Sequence, residues 1–116
     1  MKHIVISAVC TAIIFIYAFF STFYINKFTD SCYSQLKNAE ENGYTIQIVT
    51  DLKSIVSKNK FLLEFMTEKS RIEDMENLII ELENAVKYDD EQQIYLCENK
   101  LLYDIEQIKS SAESLL

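Results

Sequence analysis

A single glycine, Gly43, and no proline occur among the 116 residues. Hairpin and crossover turns depend on those residues for their special backbone angles, so a β-rich chain would lack most of the turn chemistry it needs, whereas helices lose nothing. Histidine occurs once, as His3. General acid–base and nucleophilic catalysis need a base that titrates near the working pH, and here it would stand at the edge of an apolar run, where it reads as a flanking residue. Cys10, Cys32 and Cys97 share no metal-ligand spacing, and one of them lies inside the apolar run. A glycine-rich phosphate loop is missing too. Neither an enzyme nor a cofactor or metal site is expected from such a chain.

Acids are absent from the first part of the sequence. All 18 lie after Phe28, and the stretch from Ile4 to Ile25 carries no charge of either sign. The mean hydropathy of +0.00 is therefore a cancellation between two chemistries joined end to end. From Phe28 onward, 18 acids face 9 bases, the 11 of the chain less Lys2 and Lys27, for a formal charge of −9. Binding nucleic acid requires bases that neutralise phosphates, so no nucleic acid partner is expected. An anionic membrane surface should repel most of this part.

Ile4 to Ile25 holds 22 residues, of which 18 are apolar and four (Ser7, Thr11, Ser21, Thr22) carry hydroxyls able to bond the backbone one turn earlier. At about 1.5 Å per residue such a helix can cross a hydrocarbon core of about 30 Å. Ile4, Ile13 and Phe19 mark its apolar body, and Tyr24 stands where an interfacial aromatic is expected. A cleaved signal peptide would be shorter and end in small residues, but Ala18, Phe19, Phe20 places a bulky residue at that point. Residues 1–26 are read as a retained anchor and 27–116 as an acidic helical domain. Lys2, the α-amine and His3 outweigh Lys27 as flanking positive charge, which favours an N-terminus inside and a domain outside the cytoplasmic membrane.

Beyond the anchor, Ile25, Phe28, Cys32, Leu36 and Ala39 keep a helical spacing, predicting one rod up to about Glu41 that Asn42 and Gly43 then break. Val49, Leu52, Ile55, Val56, Leu62, Leu63 and Met66 recur at intervals of three and four, with a gap near Asn59, and predict a helix over 45–68. Ser70 and Glu73 have the spacing of a capping box at the start of the next helix. Its seam is Ile72, Met75, Leu78, Ile79, Leu82, Ala85 and Val86, ending near Tyr88. Asp89 or Asp90 can cap a last helix whose stripe is Ile94, Cys97, Leu101, Ile105, Ile108, Ala112 and Leu115. The acids of Glu73 with Asp74, and of Asp89, Asp90 and Glu91, are read as charge favoured at helix starts rather than as a catalytic dyad or cation site. Short connections make consecutive helices antiparallel neighbours. The fold class is all-α: a single N-terminal transmembrane helix continuing into a small antiparallel four-helix bundle or stacked helical hairpins.

Two further sets of residues bear on function. Cys32 and Cys97 fall on adjacent helices in an up-down arrangement, where they are either a disulfide pair or two small buried apolar residues. Phe61, Phe65, Tyr95 and Tyr103, with Tyr33 and Tyr88, supply more aromatic area than a small core can hide, and any left exposed would mark a partner surface.

The order of parts resembles a family of short membrane-anchored bacterial proteins, the domain of unknown function 4363 family. The resemblance spans nearly the whole chain and is closest at Thr67, Glu68, Lys69, Ser70, Arg71, Ile72, Glu73, Asp74, Met75, Glu76, and at the final Leu-rich helix. A tryptophan of the family's second helix has no counterpart near Val56, and its turn histidine corresponds to Lys69. The resemblance implies a membrane-anchored helical domain of Gram-positive, often spore-forming, bacteria and transfers no catalytic residue. The functional expectation is a non-enzymatic interaction or accessory protein with a protein partner or self-association at the membrane; the alternative is a ligand-sensing or regulatory helical module.

Overall fold

The structure is a computed structural model that describes residues 2–113. Its first element, α1 (Lys2–Asn42), is an unbroken 41-residue helix, as expected of a segment with neither proline nor glycine. It ends where Gly43 takes a left-handed φ of 88° and its N–H closes on the Ala39 carbonyl at 2.7 Å. Thr45, rather than beginning the next helix, caps it: its Oγ1 accepts from the Ile48 N–H at 3.3 Å, and α2 runs over Ile46–Met66.

The start of α3 (Lys69–Lys87) corrects the capping-box expectation. The helix begins one residue before Ser70, with Glu68 at the cap position and no side-chain cap bond. The Glu68 carbonyl already accepts from Arg71 and Ile72, and the Glu73 carboxylate lies 3.9 Å from the Lys69 amine instead of folding back onto an amide. At the other end, Asp89 adopts a left-handed φ of 53°, which lets the Asp90 N–H reach the Ala85 carbonyl (2.9 Å) and the Asp89 N–H reach Val86 (3.3 Å), the double closure of a Schellman turn. Of the two aspartates, Asp90 is the cap of α4 (Glu91–Glu113), its Oδ1 accepting from the Gln93 N–H at 3.2 Å.

Packing decides between the two architectures left open by the sequence. α1 packs on α2, α2 on α3, α3 on α4, and α4 closes the ring against α1. That is a closed antiparallel bundle, not a stack of hairpins. Its interior is built from Ile25, Phe28, Cys32 and Leu36 of α1, Val49, Leu52, Val56 and Leu63 of α2, Ile72, Met75, Leu78, Ile79 and Leu82 of α3, and Cys97, Leu101, Ile105 and Ile108 of α4. The seams of α3 and α4 match the predicted stripes, with Val86 and Ile94 only partly covered; the side chain of Ala112, and Leu115 altogether, lie outside the described set. Leu62, expected inside, is exposed, and Ile48 is buried in its stead.

The buried seam of α1 starts lower than the boundary drawn from sequence. Ser21 and Ile25 are both fully buried, although they lie within the uncharged run. Below them, from Lys2 to Phe20, every residue is exposed except the half-covered Ala18. α1 is thus long and apolar enough to cross a membrane, and its final apolar turn belongs to the bundle.

Candidate functional site

The four residues singled out as a partner surface are all exposed: Phe61 and Phe65 are 80% and 76% accessible, and Tyr95 and Tyr103 are 63% and 58% accessible. They form two faces, not one. Phe61 and Phe65 lie one turn apart on α2, with Leu62 beside them. On α4, successive rotations of about 100° per residue bring Tyr95, Leu96, Asn99 and Tyr103 within one outward arc. Tyr33 is packed against the core and only partly covered, and Tyr88 is exposed at the α3 end.

Tyr24 ties the lower end of the bundle together. Its hydroxyl donates a hydrogen bond to Asn59 Oδ1 of α2, while Asn59 Nδ2 donates to the Ile55 carbonyl at 2.7 Å. The gap in the apolar spacing of α2 is therefore a polar contact with the end of the apolar segment. It also aligns the chain: α2 runs back from the Gly43 turn, and the residues after Asn59 continue toward the bare half of α1. Of the anchor residues, Ile4, Ile13 and Phe19 are exposed on that bare half.

One polar cluster interrupts the core, and nothing in the sequence reading anticipated it. Asp104 sits on the α4 seam between Leu101 and Ile105 and is only 3% exposed. Its Oδ1 accepts from Arg71 Nη1 of α3 at 3.0 Å, and its Oδ2 is buried with no hydrogen-bond partner. Burial, followed by the neighbouring Asp74 carboxylate, pushes the Asp104 carboxyl up to about 7 against the opposing pull of Arg71. The same guanidinium lies 5.9 Å over the Tyr103 ring and 4.0 Å from Glu68. Arg71, Asp74, Asn99, Lys100, Tyr103 and Asp104 line an open cleft of about 430 Å³ between α3 and α4. The residues are 33 apart in sequence, so only the register of the two helices reveals the pair. The available signal was an aspartate inside a heptad stripe.

Cys32 and Cys97 are both buried free thiols on α1 and α4. Burial alone pushes Cys32 up to about 12, so it is a protonated core residue rather than a nucleophile. Burial raises Cys97 as well, with Gln93 3.6 Å from its sulfur. Cys10 is exposed on the bare half of α1. Of the two acidic groups, Glu73 pairs with Lys69 and Asp90 serves as a cap, while Asp74 stands beside the buried Asp104 carboxyl. Among the described residues no group of three His, Cys, Asp or Glu side chains could hold a metal ion.

No family model, curated protein or solved structure matches this chain.

Proposed function

We propose that this chain is a membrane-anchored, non-enzymatic helical interaction or accessory protein, whose bundle stands at the outer face of the cytoplasmic membrane and offers the outer face of α4 to a protein partner or to a second copy of itself. The observation that carries this reading is the exposure of Tyr95, Leu96 and Tyr103 along one arc of α4 in a bundle whose core is already complete without them. Tyrosines that are apolar in body and polar at the tip suit a surface that is wet when free and covered when bound. The uncharged run of α1 supports anchoring.

The test is photo-crosslinking in intact cells with a benzophenone side chain at Tyr95, Tyr103 or, as control, the exposed Asn38 of α1. Discrete adducts at the two tyrosine positions and not at Asn38 are expected, and a product of twice the chain mass would identify self-association. Equal, diffuse labelling at all three positions would sink the reading. A membrane-impermeant maleimide tests orientation through an exposed probe, Ser57→Cys, because Cys32 and Cys97 are buried. Labelling from outside without lysis is expected.

A second reading has one observation in its favour. The cleft lined by Arg71, Asp74 and Asp104 is the polar space between helices that a ligand-sensing module would need. Small-molecule binding there would perturb the Tyr103 ring, and titration followed through that tyrosine separates the two readings.

A further inference from the structure

The two exposed faces differ in chemistry. Tyr95 and Tyr103 on α4 and Tyr88 at the end of α3 carry hydroxyls, whereas the exposed aromatics of α2 are Phe61 and Phe65, which have no polar handle and are flanked by Leu62. Lys58, Phe61, Leu62 and Phe65 fall within one arc of α2, Lys58 standing about one turn nearer the Gly43 end. The hydrogen bond from Tyr24 to Asn59 sets this arc beside the end of the uncharged segment. Phe23 of α1 is 64% exposed at the same level.

Charge at this end departs from the rest of the domain. From Lys58 to Arg71 the chain has four bases (Lys58, Lys60, Lys69, Arg71) and two acids (Glu64, Glu68), in a soluble part where acids outnumber bases two to one. Lys60 and Lys69 face Glu76 and Glu73 of α3, at 3.0 and 3.9 Å. Lys27 and Lys58 have no carboxylate partner among the described residues. Length gives a third, independent reason. The bare apolar stretch Ile4–Phe20 spans about 25 Å at about 1.5 Å per residue, less than a hydrocarbon core of about 30 Å. A bilayer around it reaches up to the base of the bundle unless it thins.

We infer that the Lys58, Phe61, Leu62 and Phe65 face of α2 is a lipid-binding surface that lies in the interfacial layer of the bilayer crossed by α1. The rings enter the boundary between headgroups and acyl chains, and the amines of Lys58 and Lys27 extend to the phosphates. An apolar arc capped by a long basic side chain on its watery side is the arrangement of an interfacial helix. The inference rests on the membrane-spanning reading of α1, and the experiment separates the two.

The chain has no tryptophan, so each single introduced tryptophan reports alone. Phe15→Trp, Phe61→Trp, Phe65→Trp and Tyr95→Trp variants of the full chain, all at exposed positions that leave the core untouched, are placed in phosphatidylcholine–phosphatidylglycerol vesicles whose acyl chains are brominated near the headgroup. Tryptophan at 61 and 65 is expected to emit at short wavelength and to lose most of its emission to the bromines, as at 15, while tryptophan at 95 keeps its emission. If 15 is quenched but 61 and 65 emit as in water, the lipid surface is overturned and the anchor stands. Short-wavelength emission at 61 and 65 without quenching overturns it in favour of a second copy covering the face. An unquenched Phe15→Trp overturns the membrane-spanning reading and the lipid surface with it.

Discussion

The two halves of α1 share one continuous helix and differ in everything that surrounds it. From Lys2 to Phe20 the side chains point in all directions and every one but the half-covered Ala18 is exposed. From Ser21 to Ala39 a single seam is buried by the other helices. An all-round apolar surface asks for lipid, and a stripe asks for partner helices. The lesson of the junction is that hydropathy does not tell the two kinds of burial apart: Ile25 and Phe19 are equally apolar, yet one is enclosed by protein and the other is bare.

Truncation in each half sharpens this contrast most. Leu82→Ala, at a fully buried core position, is expected to destabilise the bundle by about 2–5 kcal/mol in denaturant unfolding of the detergent-solubilised chain. Ile13→Ala, an equal kind of truncation on the bare half, should leave the unfolding midpoint unchanged. Equal losses at both would break the distinction between the halves.

The response to pH should arise wholly in the packed half, because no carboxylate precedes Asp30. The Asp104 carboxyl is raised in the folded chain from its ordinary 3.8 to about 7, so folding favours its protonated form. Its contribution to stability is complete below 3.8, declines as pH rises, and is lost above about 7. Glu98, raised by burial and by Glu40, adds in the same direction. Thermal unfolding at successive pH values should therefore show a midpoint that falls through this window, and Asp104→Asn should flatten the fall while raising stability at pH 8.

At the junction itself, the Ser21 hydroxyl is buried without a hydrogen-bond partner. Ser21→Ala removes an unsatisfied group and is expected to stabilise the bundle by about 1 kcal/mol, read from the same denaturation curves. A loss instead would mean that the hydroxyl has a partner where the bare half of α1 meets the bundle. The smallest effect is expected at the end of the bundle away from the bare half of α1, where Asp89 holds a left-handed conformation that glycine adopts without strain. Asp89→Gly should raise stability by up to about 1 kcal/mol.

Much of this architecture was legible because helices write their buried faces at fixed intervals. The stripes from Ile72 to Ala85 and from Cys97 to Ile108 could be read directly, and so could the break at Gly43. Closure of the ring was not legible, since the contact between α1 and α4 joins elements distant in sequence and leaves no local signature. The start of α3 was misassigned because Ser70 and Glu73 have capping spacing but Glu73 is drawn to Lys69. In the candidate sites, the exposed aromatics were found by their excess over core capacity, whereas Arg71 and Asp104 looked like ordinary surface charges. Only burial distinguishes Asp104 from the acids around it.

Closure of the ring also sets an order of events during synthesis. The apolar half of α1 is made before the bundle helices that follow it. The seam that α1 offers to the bundle, Ile25, Phe28, Cys32 and Leu36, is then covered by α2 alone until α4 has followed. Completion of the fold thereby waits for the last helix, and a stripe left half covered until then risks premature association with neighbouring nascent chains, against which early pairing of α2 with α3 is a protection.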